Sequence, residues 1–265
     1  MPRFAANLST LYPEYFFQDR FRAARQDGFE YVECQFPYDH PAARLAELLG
    51  DNGLRQVLIN APAGRWTQGE RGLAALPDKI AEFRHGFEAL ALPYAHALDC
   101  SLIHVMAGVI PPGTDPEPFN ATYLDNLAWA ASLATSHGIR ILIEPLNPFD
   151  VPGYLLSLQD QAYQVLSMVN SPNLSIQLDL YHCQRTEGNA LERLPNDLAS
   201  GLVCHVQIAG VPLRHEPDEG ELLHEAVFHT LDSLSYPGYV GCEYHPRAGT
   251  SEGLTWFRNW RSRQV

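Results

Sequence analysis

Four oxygen-bearing side chains recur at similar intervals in the second half of the chain. Glu144, Asp179 and Glu243 each follow a short apolar run, and Gln207 stands between the last two. Their spacings are 35, 28 and 36 residues, each close to the length of one strand plus one helix in an α/β fold. Burying three negative charges together is costly unless they bind protons or a cation lies among them. Because carboxylate and amide oxygens are hard ligands, the pattern predicts a Mg²⁺ or Mn²⁺ site rather than a tetrahedral zinc site.

Each of these acids, taken alone, has a more ordinary explanation. A single carboxylate at a strand end commonly caps a loop or pairs with an arginine. Four such side chains at the ends of successive strands favour a shared metal site instead. We therefore predict that Glu144, Asp179, Gln207 and Glu243 hold one divalent ion.

The elements that must position these side chains alternate along the whole chain. Short β-branched or apolar runs predict eight strands, and the amphipathic stretches between them predict eight helices. Eight such units in 265 residues average about 33 residues each, which is the spacing of a (β/α)8 TIM barrel. No linker rich in serine, glycine or proline interrupts the pattern. We therefore predict one α/β domain over residues 1–265.

The boundaries of these elements follow from the same patterns. A doubly wound open sheet is the alternative, but the segment after the first strand, ANLSTLYPEY, contains no glycine-rich phosphate turn. The predicted strands are Phe4–Ser9, Tyr31–Glu33, Arg55–Ile59, Leu102–Met106, Arg140–Glu144, Leu174–Asp179, Val203–Gln207 and Tyr239–Glu243. The predicted helices are Tyr15–Asp27, Ala42–Asn52, Asp78–Leu98, Asn120–His137, Ser157–Val169, Leu191–Leu198, Glu221–Ser235 and Ser251–Arg263.

Composition excludes several classes of function. The chain has 18 basic and 31 acidic side chains, a net charge of −13, which argues against nucleic-acid binding through a basic face. No uncharged apolar run approaches the roughly 18 residues of a membrane span. Lys79 is the only lysine and starts a predicted helix away from any strand end, which argues against Schiff-base chemistry. Five cysteines without a C-x-x-C pair, and no apolar signal segment, predict a reduced cytoplasmic protein.

Seven segments resemble the hydroxypyruvate isomerase family, which belongs to the xylose-isomerase-like barrel superfamily and includes 2-oxo-tetronate isomerases. The resemblance extends from Pro2 to about Trp256. It implies a TIM barrel with the activity of a metal-dependent aldose–ketose isomerase that uses no organic cofactor. The segments are ANLSTLYPEY, VECQFPYD, NAPAGRWTQGERG, IEPLNPFDVPGY, DLYHCQRTEG, HVQIAGVPLRHEPDEGE and GCEYHP.

The resemblance also implies roles for the four oxygen-bearing residues. Glu144 and Glu243 match the two catalytic glutamates of the family, which are also metal ligands. Asp179 and Gln207 match its other two metal ligands. Glutamine at position 207 is typical of the hydroxypyruvate isomerase branch, because more distant sugar epimerases usually have histidine there.

Three further residues are predicted to bind the substrate. His182 matches a substrate-contacting histidine of the family, and Arg214 resembles a substrate-binding arginine. A sugar acid brings its own carboxylate into an acidic site, so Arg71 in the GERG turn is a second candidate for binding that group. The alternative for Arg71 is a salt bridge with Glu70 or another acid. The acidic segment AGVPLRHEPDEGE lacks a phosphate-binding turn, which favours an unphosphorylated substrate.

Two other polar residues lie at or near predicted strand ends. Glu33 ends the second predicted strand, where a loop salt bridge is favoured over a role in orienting groups at the site. His205 lies two residues before Gln207 and therefore points to the same side of its strand. It is predicted either to support the site or to be a hydrogen-bonded core residue.

The expected reaction moves a proton between neighbouring carbons of an α-hydroxy carbonyl through an enediolate, stabilised by the cation. One glutamate would remove the proton and the other would return it. Hydroxypyruvate, isomerised to 2-hydroxy-3-oxopropanoate (tartronate semialdehyde), is the leading substrate, and a 2-oxo-tetronate is left open. A ketose 3-epimerase, a trinuclear-zinc AP endonuclease and a non-catalytic sugar-acid-binding barrel are less favoured. Gln207 argues against the epimerase, the net charge argues against the endonuclease, and the two intact glutamates argue against the non-catalytic barrel. Assembly into a homo-oligomer is also left open.

Overall fold

Eight parallel strands form a closed barrel in which the strand order is the order along the chain. The computed structural model describes residues 2–263. The predicted (β/α)8 architecture is confirmed, and predicted and observed strand ends differ by no more than two residues. The strands are β1 Arg3–Asn7, β2 Tyr31–Cys34, β3 Arg55–Asn60, β4 Leu102–His104, β5 Arg140–Ile143, β6 Leu174–Asp179, β7 Val203–Ile208 and β8 Tyr239–Cys242.

The strands are apolar because parallel strands in such a barrel are covered on both faces. All six residues of β6 are buried, including its polar members. The carboxyl ends of four strands carry the predicted ligands. Glu144 follows β5 directly, Asp179 ends β6, Gln207 is the penultimate residue of β7, and Glu243 follows β8.

The helices follow the strands in the expected alternation. A π-helical segment, Phe87–Ala91, joins α3 to α4 and makes residues 80–97 one continuous helical stretch. The helices are α1 Phe17–Gln26, α2 Ala42–Asn52, α3 Ile80–Gly86, α4 Leu92–Ala97, α5 Glu117–Thr135, α6 Gln159–Val169, α7 Leu180–Glu187, α8 Ala190–Ala199, α9 His224–Ser233, α10 Thr250–Gly253 and α11 Thr255–Ser262.

Helix α7 is absent from the sequence prediction, which leaves residues 180–190 as a loop. The helix begins immediately after β6, and its first N–H groups are capped by the side chain of Asp179, which accepts a hydrogen bond from the Tyr181 amide at 2.7 Å. Gly188 ends it with a φ of 74°. An eight-residue helix is too short to show a clear apolar period, and its first four residues are all buried.

The last predicted helix, Ser251–Arg263, is also different in the structure. It is divided into α10 and α11 at Leu254, which is fully buried. No helix within residues 2–263 has the length and apolar character needed to cross a bilayer.

The described chain forms two compact units. The first unit comprises residues 2–34, 44–57 and 178–263, and the second comprises residues 35–43 and 58–177. The core of the first unit includes an aromatic cluster in which the Phe4 ring lies 5.0 Å from Phe228 and 5.4 Å from Trp256. The core of the second includes Phe87, whose ring lies 5.8 Å from that of Trp129. The single domain over residues 1–265 stays a prediction.

Candidate active site

An arginine joins two buried carboxylates in the first unit. Asp179 and Glu243 are 1% and 5% exposed. The Arg214 Nη2 atom donates to Asp179 Oδ2 at 3.3 Å and to Glu243 Oε1 at 3.0 Å. Its guanidinium also lies over the Tyr181 ring, 4.9 Å from the ring centre. Two of the four predicted metal ligands and one predicted substrate-binding residue are therefore in one cluster.

Both carboxylates are harder to ionise than they would be in water. Burial raises the pKa of Asp179, while Arg214 and two backbone N–H groups oppose that rise. Burial also raises the pKa of Glu243 to about 7; Arg214 lowers it and the neighbouring Asp179 and Glu33 raise it. One guanidinium thus compensates only partly for the burial of two negative groups. A carboxyl with a pKa near 7 is suited to proton transfer near neutral pH.

The loop between β7 and α9 holds Arg214 in an unusual backbone conformation. Its φ is 56°, in the left-handed region that costs a non-glycine residue about 1–2 kcal/mol. The Arg214 amide donates to the Gly210 carbonyl at 2.8 Å, and its carbonyl accepts from the His245 amide at 2.8 Å. Strain maintained by surrounding hydrogen bonds is typical of functional positions, and here it aims the guanidinium at the two acids.

The amide of Gln207 is oriented by carboxylates. Gln207 is buried, and its Nε2 atom donates to Glu33 Oε1 at 2.7 Å. A second hydrogen bond, between Gln207 and Glu243, lowers the pKa of Glu243. Because a carboxylate only accepts, the contact with Glu33 engages the amide nitrogen, and the amide oxygen is the atom of this side chain suited to a cation.

His182 lies beside Asp179 in the first turn of α7. It is buried, and its Nε2 atom is 3.7 Å from Asp179 Oδ2. Its ring meets the Tyr181 ring edge-on at 5.3 Å. The helix missing from the sequence prediction therefore holds this predicted substrate-binding residue against the acidic cluster.

Glu144 belongs to the second unit and has its own supporting contacts. It is buried directly after β5. Gln177 Nε2 donates to Glu144 Oε2 at 2.9 Å, and His104 Nδ1 lies 3.4 Å from the same oxygen. A hydrogen bond from one neighbouring strand thus holds this carboxylate, and a histidine of the other neighbouring strand lies beside it.

Arg71, also in the second unit, does not form a salt bridge with Glu70, which was the alternative to substrate binding. Its Nη1 atom donates to the backbone carbonyls of Trp66 and Glu70 at 2.9 Å each, and its guanidinium stacks on the Trp66 ring at 3.8 Å. Glu70 pairs with Arg65 at 3.0 Å instead, and that contact lowers the pKa of Glu70 to about 2. Within residues 2–263, no carboxylate forms an ion pair with Arg71. Its charge is therefore available to an anionic ligand.

The prediction for Glu33 as a loop salt bridge is wrong. Glu33 is fully buried, and its Oε2 atom accepts from His205 Nε2 at 2.7 Å. Its Oε1 atom accepts from Asn7 Nδ2 at 3.0 Å in addition to Gln207. One feature of the sequence could have indicated this hydrogen-bond network: polar residues such as Asn7 and His205 occur within otherwise apolar strands.

Comparison with known proteins places the chain in a family. A family model described as a xylose isomerase-like TIM barrel matches residues 21–260. The 2-oxo-tetronate isomerase of Cupriavidus necator is 52% identical over 263 residues, covering 99% of this chain and 100% of that protein. The hydroxypyruvate isomerase of Escherichia coli is 42% identical, covering 98% and 100%. A solved structure from Brucella melitensis, named as AP endonuclease, family 2, shares 46% identity and a TM-score of 0.94, covering 98% and 99%. The chain belongs to the xylose isomerase-like TIM barrel family and is, like its curated full-length relatives, an isomerase.

Proposed function

We propose that the protein is a metal-dependent isomerase of a small, unphosphorylated 2-oxo-3-hydroxy acid. The observation that carries this proposal is the buried cluster in which Arg214 contacts Asp179 and Glu243 at strand ends. Such a cluster combines a carboxyl group suited to proton transfer with a cationic group suited to an anionic substrate. The isomerase relatives support the same reaction type.

The substrate we favour is a 2-oxo-tetronate, with hydroxypyruvate as the second candidate. The 2-oxo-tetronate isomerases from three bacteria are 52%, 47% and 44% identical to this chain, and the bacterial hydroxypyruvate isomerase is 42% identical. This order reverses the preference drawn from the sequence. Both acids carry a ketone at C2 and a hydroxyl at C3, so the same chemistry serves either one.

Four residues are proposed to hold a divalent ion: Glu144, Asp179, Gln207 and Glu243. Buried side-chain atoms of the types that bind metals are present at Glu144, Asp179 and His182. The donor set of carboxylates and an amide oxygen fits Mg²⁺ or Mn²⁺. The incomplete compensation of charge at Asp179 and Glu243 is consistent with a further cation. When bound, such an ion supplies Lewis-acid stabilisation of the negative charge that develops on the two substrate oxygens.

Glu144 and Glu243 are proposed to transfer the proton. Isomerisation moves one hydrogen from C3 to C2 and one proton from the C3 oxygen to the C2 oxygen, with no net change in composition. One carboxylate takes the carbon-bound proton at C3, and the other supplies a proton at C2. Contacts from Gln177 to Glu144 and from Arg214 to Glu243 hold each group in position for this task.

Arg71, Arg214 and His182 are proposed to bind the substrate. Arg71 is favoured for the substrate carboxylate because it donates hydrogen bonds to two backbone carbonyl groups and, within residues 2–263, forms no ion pair with an acid. Arg214 already contacts two acids, so its contribution is to offset their charge and to bind substrate oxygens beside them. The guanidinium group of each arginine is suited to bind an anionic substrate.

The test is a side-by-side assay of the purified protein. Hydroxypyruvate and the two enantiomers of 2-oxo-tetronate are supplied with Mn²⁺, and kcat/KM is measured for each. We expect one 2-oxo-tetronate enantiomer to exceed hydroxypyruvate by at least about tenfold, a difference of about 1.4 kcal/mol in transition-state binding. A higher value for hydroxypyruvate would reverse the order of substrates. The absence of isomerisation with every acid would overturn the proposal.

A further inference from the structure

Glu33, at the carboxyl end of β2, is a buried carboxylate with three polar side-chain partners. Its Oε1 atom accepts from Asn7 Nδ2 at 3.0 Å and from Gln207 Nε2 at 2.7 Å. Its Oε2 atom accepts from His205 Nε2 at 2.7 Å. All four residues are no more than 1% exposed. Among the described residues, no lysine or arginine pairs with Glu33.

The strand register builds this arrangement into the barrel. Asn7 of β1 is paired with Glu33 of β2. Gln207 of β7 is paired with Gly241 of β8. A side chain at Gly241 would place its Cβ atom 2.4 Å from Glu33 Oε1, so a residue without a side chain is needed there to make room for the carboxylate. The position of Glu33 is therefore determined by three strands besides its own.

A buried carboxylate without a lysine or arginine partner is costly, and its hydrogen bonds only limit that cost. Such a group does not stabilise the apolar core of a barrel. It determines the orientation of the Gln207 amide, because a carboxylate cannot donate a hydrogen bond and must face the amide nitrogen. The reversed amide would bring its oxygen against the Glu33 oxygen at the same short distance, which electrostatic repulsion disfavours.

We propose that Glu33 is a positioning residue that orients the Gln207 amide so that its oxygen, and not its nitrogen, binds the divalent ion. The inference rests on the proposed function, in which Gln207 is a metal ligand. Glu33 is not one of the four proposed ligands, and its proposed effect on the ion is through Gln207. Hydrogen bonds to a ligand from outside the coordination shell commonly change metal affinity by about 10–100-fold.

The experiment measures Mn²⁺ binding to the metal-free protein by isothermal titration calorimetry. In Glu33→Gln the neighbour of Gln207 can donate as well as accept, so the ligand amide can reverse. We expect the Kd for Mn²⁺ to rise by at least about tenfold. Glu33→Asp keeps the charge but shortens the side chain, so we expect a smaller rise. Glu30→Gln, an exposed acid immediately before β2, is the matched control and should leave the Kd unchanged.

A double-mutant cycle separates positioning from a general electrostatic effect. If Glu33 acts through Gln207, Glu33→Gln should not weaken Mn²⁺ binding further in the Gln207→Ala background. Additive losses in the double variant, or an unchanged Kd in Glu33→Gln, would overturn the inference. If Glu33→Gln does not fold, a wild-type Kd in Glu33→Asp would overturn it equally. Failure of the wild-type protein to bind Mn²⁺ would instead contradict the proposed metal site, so the two failures are distinguishable.

Discussion

Glu243 shows how strongly one residue's chemistry depends on its surroundings. Burial raises its pKa to about 7, and the nearby guanidinium of Arg214 prevents a larger rise. The same side chain in water would be ionised throughout the neutral range. A group poised in this way can both accept and return a proton, which an isomerase requires of its acid–base residues.

The two glutamates can be tested by isosteric substitution. We expect Glu144→Gln and Glu243→Gln each to lower kcat by about 10²–10⁴-fold, because an amide cannot transfer the proton. Circular dichroism should show that both variants remain folded. The exposed Glu88→Gln serves as the control and should retain wild-type turnover. Near wild-type activity in either active-site variant would eliminate the two-glutamate mechanism.

Arg71 and Arg65 offer a comparison within one loop. Arg71→Ala should raise KM by about tenfold or more with a smaller effect on kcat, because the lost contact is made equally in the ground and transition states. Arg65, whose partner is Glu70, is the control, and Arg65→Ala should leave KM near the wild-type value. Steady-state kinetics with the preferred acid measure both. Equal effects of the two substitutions would argue against a specific role for Arg71.

At the scale of elements, α7 connects local structure to the site. Asp179 ends β6, caps α7 and contacts Arg214, so one side chain serves a strand–helix junction and the acidic cluster together. Capping explains why the helix can begin without an intervening loop. It also brings His182 against Asp179 within one turn.

These two roles of Asp179 can be separated. Asparagine is about as good a helix cap as aspartate, whereas alanine is not. We expect both Asp179→Asn and Asp179→Ala to lose Mn²⁺ affinity, but only the alanine variant to lose about a further 1 kcal/mol in the free energy of unfolding. Calorimetric titration and urea unfolding of the metal-free proteins provide the two measurements. Equal stability of the two variants would show that the cap contributes little.

Helix α9 begins with a buried histidine whose protonation in acid should oppose folding. Burial lowers the pKa of His224 to about 4. Between pH 6.5 and 4 the unfolded chain takes up a proton at this residue while the folded chain does not. The contribution of His224 to the free energy of unfolding should therefore fall by about 1.4 kcal/mol for each pH unit in this window. The raised pKa of Glu243 contributes in the opposite direction.

Substitution of His224 tests this assignment. Urea unfolding at several pH values between 6.5 and 4 should show that acidification destabilises His224→Gln less than it destabilises the wild-type protein. The exposed His137→Gln is the control and should retain the wild-type slope. An unchanged slope in His224→Gln would assign the acid sensitivity to other groups.

The net charge of −13 can be divided between buried and exposed acidic residues. Part of the acidity lies in buried carboxylates at strand ends, where it is proposed to hold a cation, and much of the rest is on exposed helix positions. The charge also disfavours nuclease activity for this chain despite the name of the Brucella structure, because DNA binding requires a basic surface.

Removal of the metal tests the proposal for the molecule as a whole. Exhaustive treatment with EDTA should abolish isomerase activity, and Mg²⁺ or Mn²⁺ should restore it. Metal at 100 times its Kd should raise the free energy of unfolding by about 2.7 kcal/mol, since the ion binds only the folded protein. Full activity after chelation, checked by elemental analysis of the protein, would contradict the metal-dependent mechanism.

The sequence alone was sufficient for the eight strands and for the placement of the predicted ligands at strand ends. Apolar runs and helix periodicity are local patterns, and parallel strands covered on both faces leave strong ones. The family resemblance then added roles for Glu144, Asp179, Gln207 and Glu243. The closed barrel and the family membership are confirmed, while those residue roles stay predictions.

Only the tertiary structure revealed helix α7, the partners of Arg71 and the surroundings of Glu33. A short helix capped by a strand-end acid shows no period of its own. Arg71 stacks on Trp66 and Glu70 pairs with Arg65. Sequence spacing alone cannot predict which of these neighbouring residues pair. Glu33 and His205 are 172 residues apart in the chain and 2.7 Å apart in the fold. Hydrogen bonds between distant strands depend on barrel closure and register, and neither is encoded in any single segment.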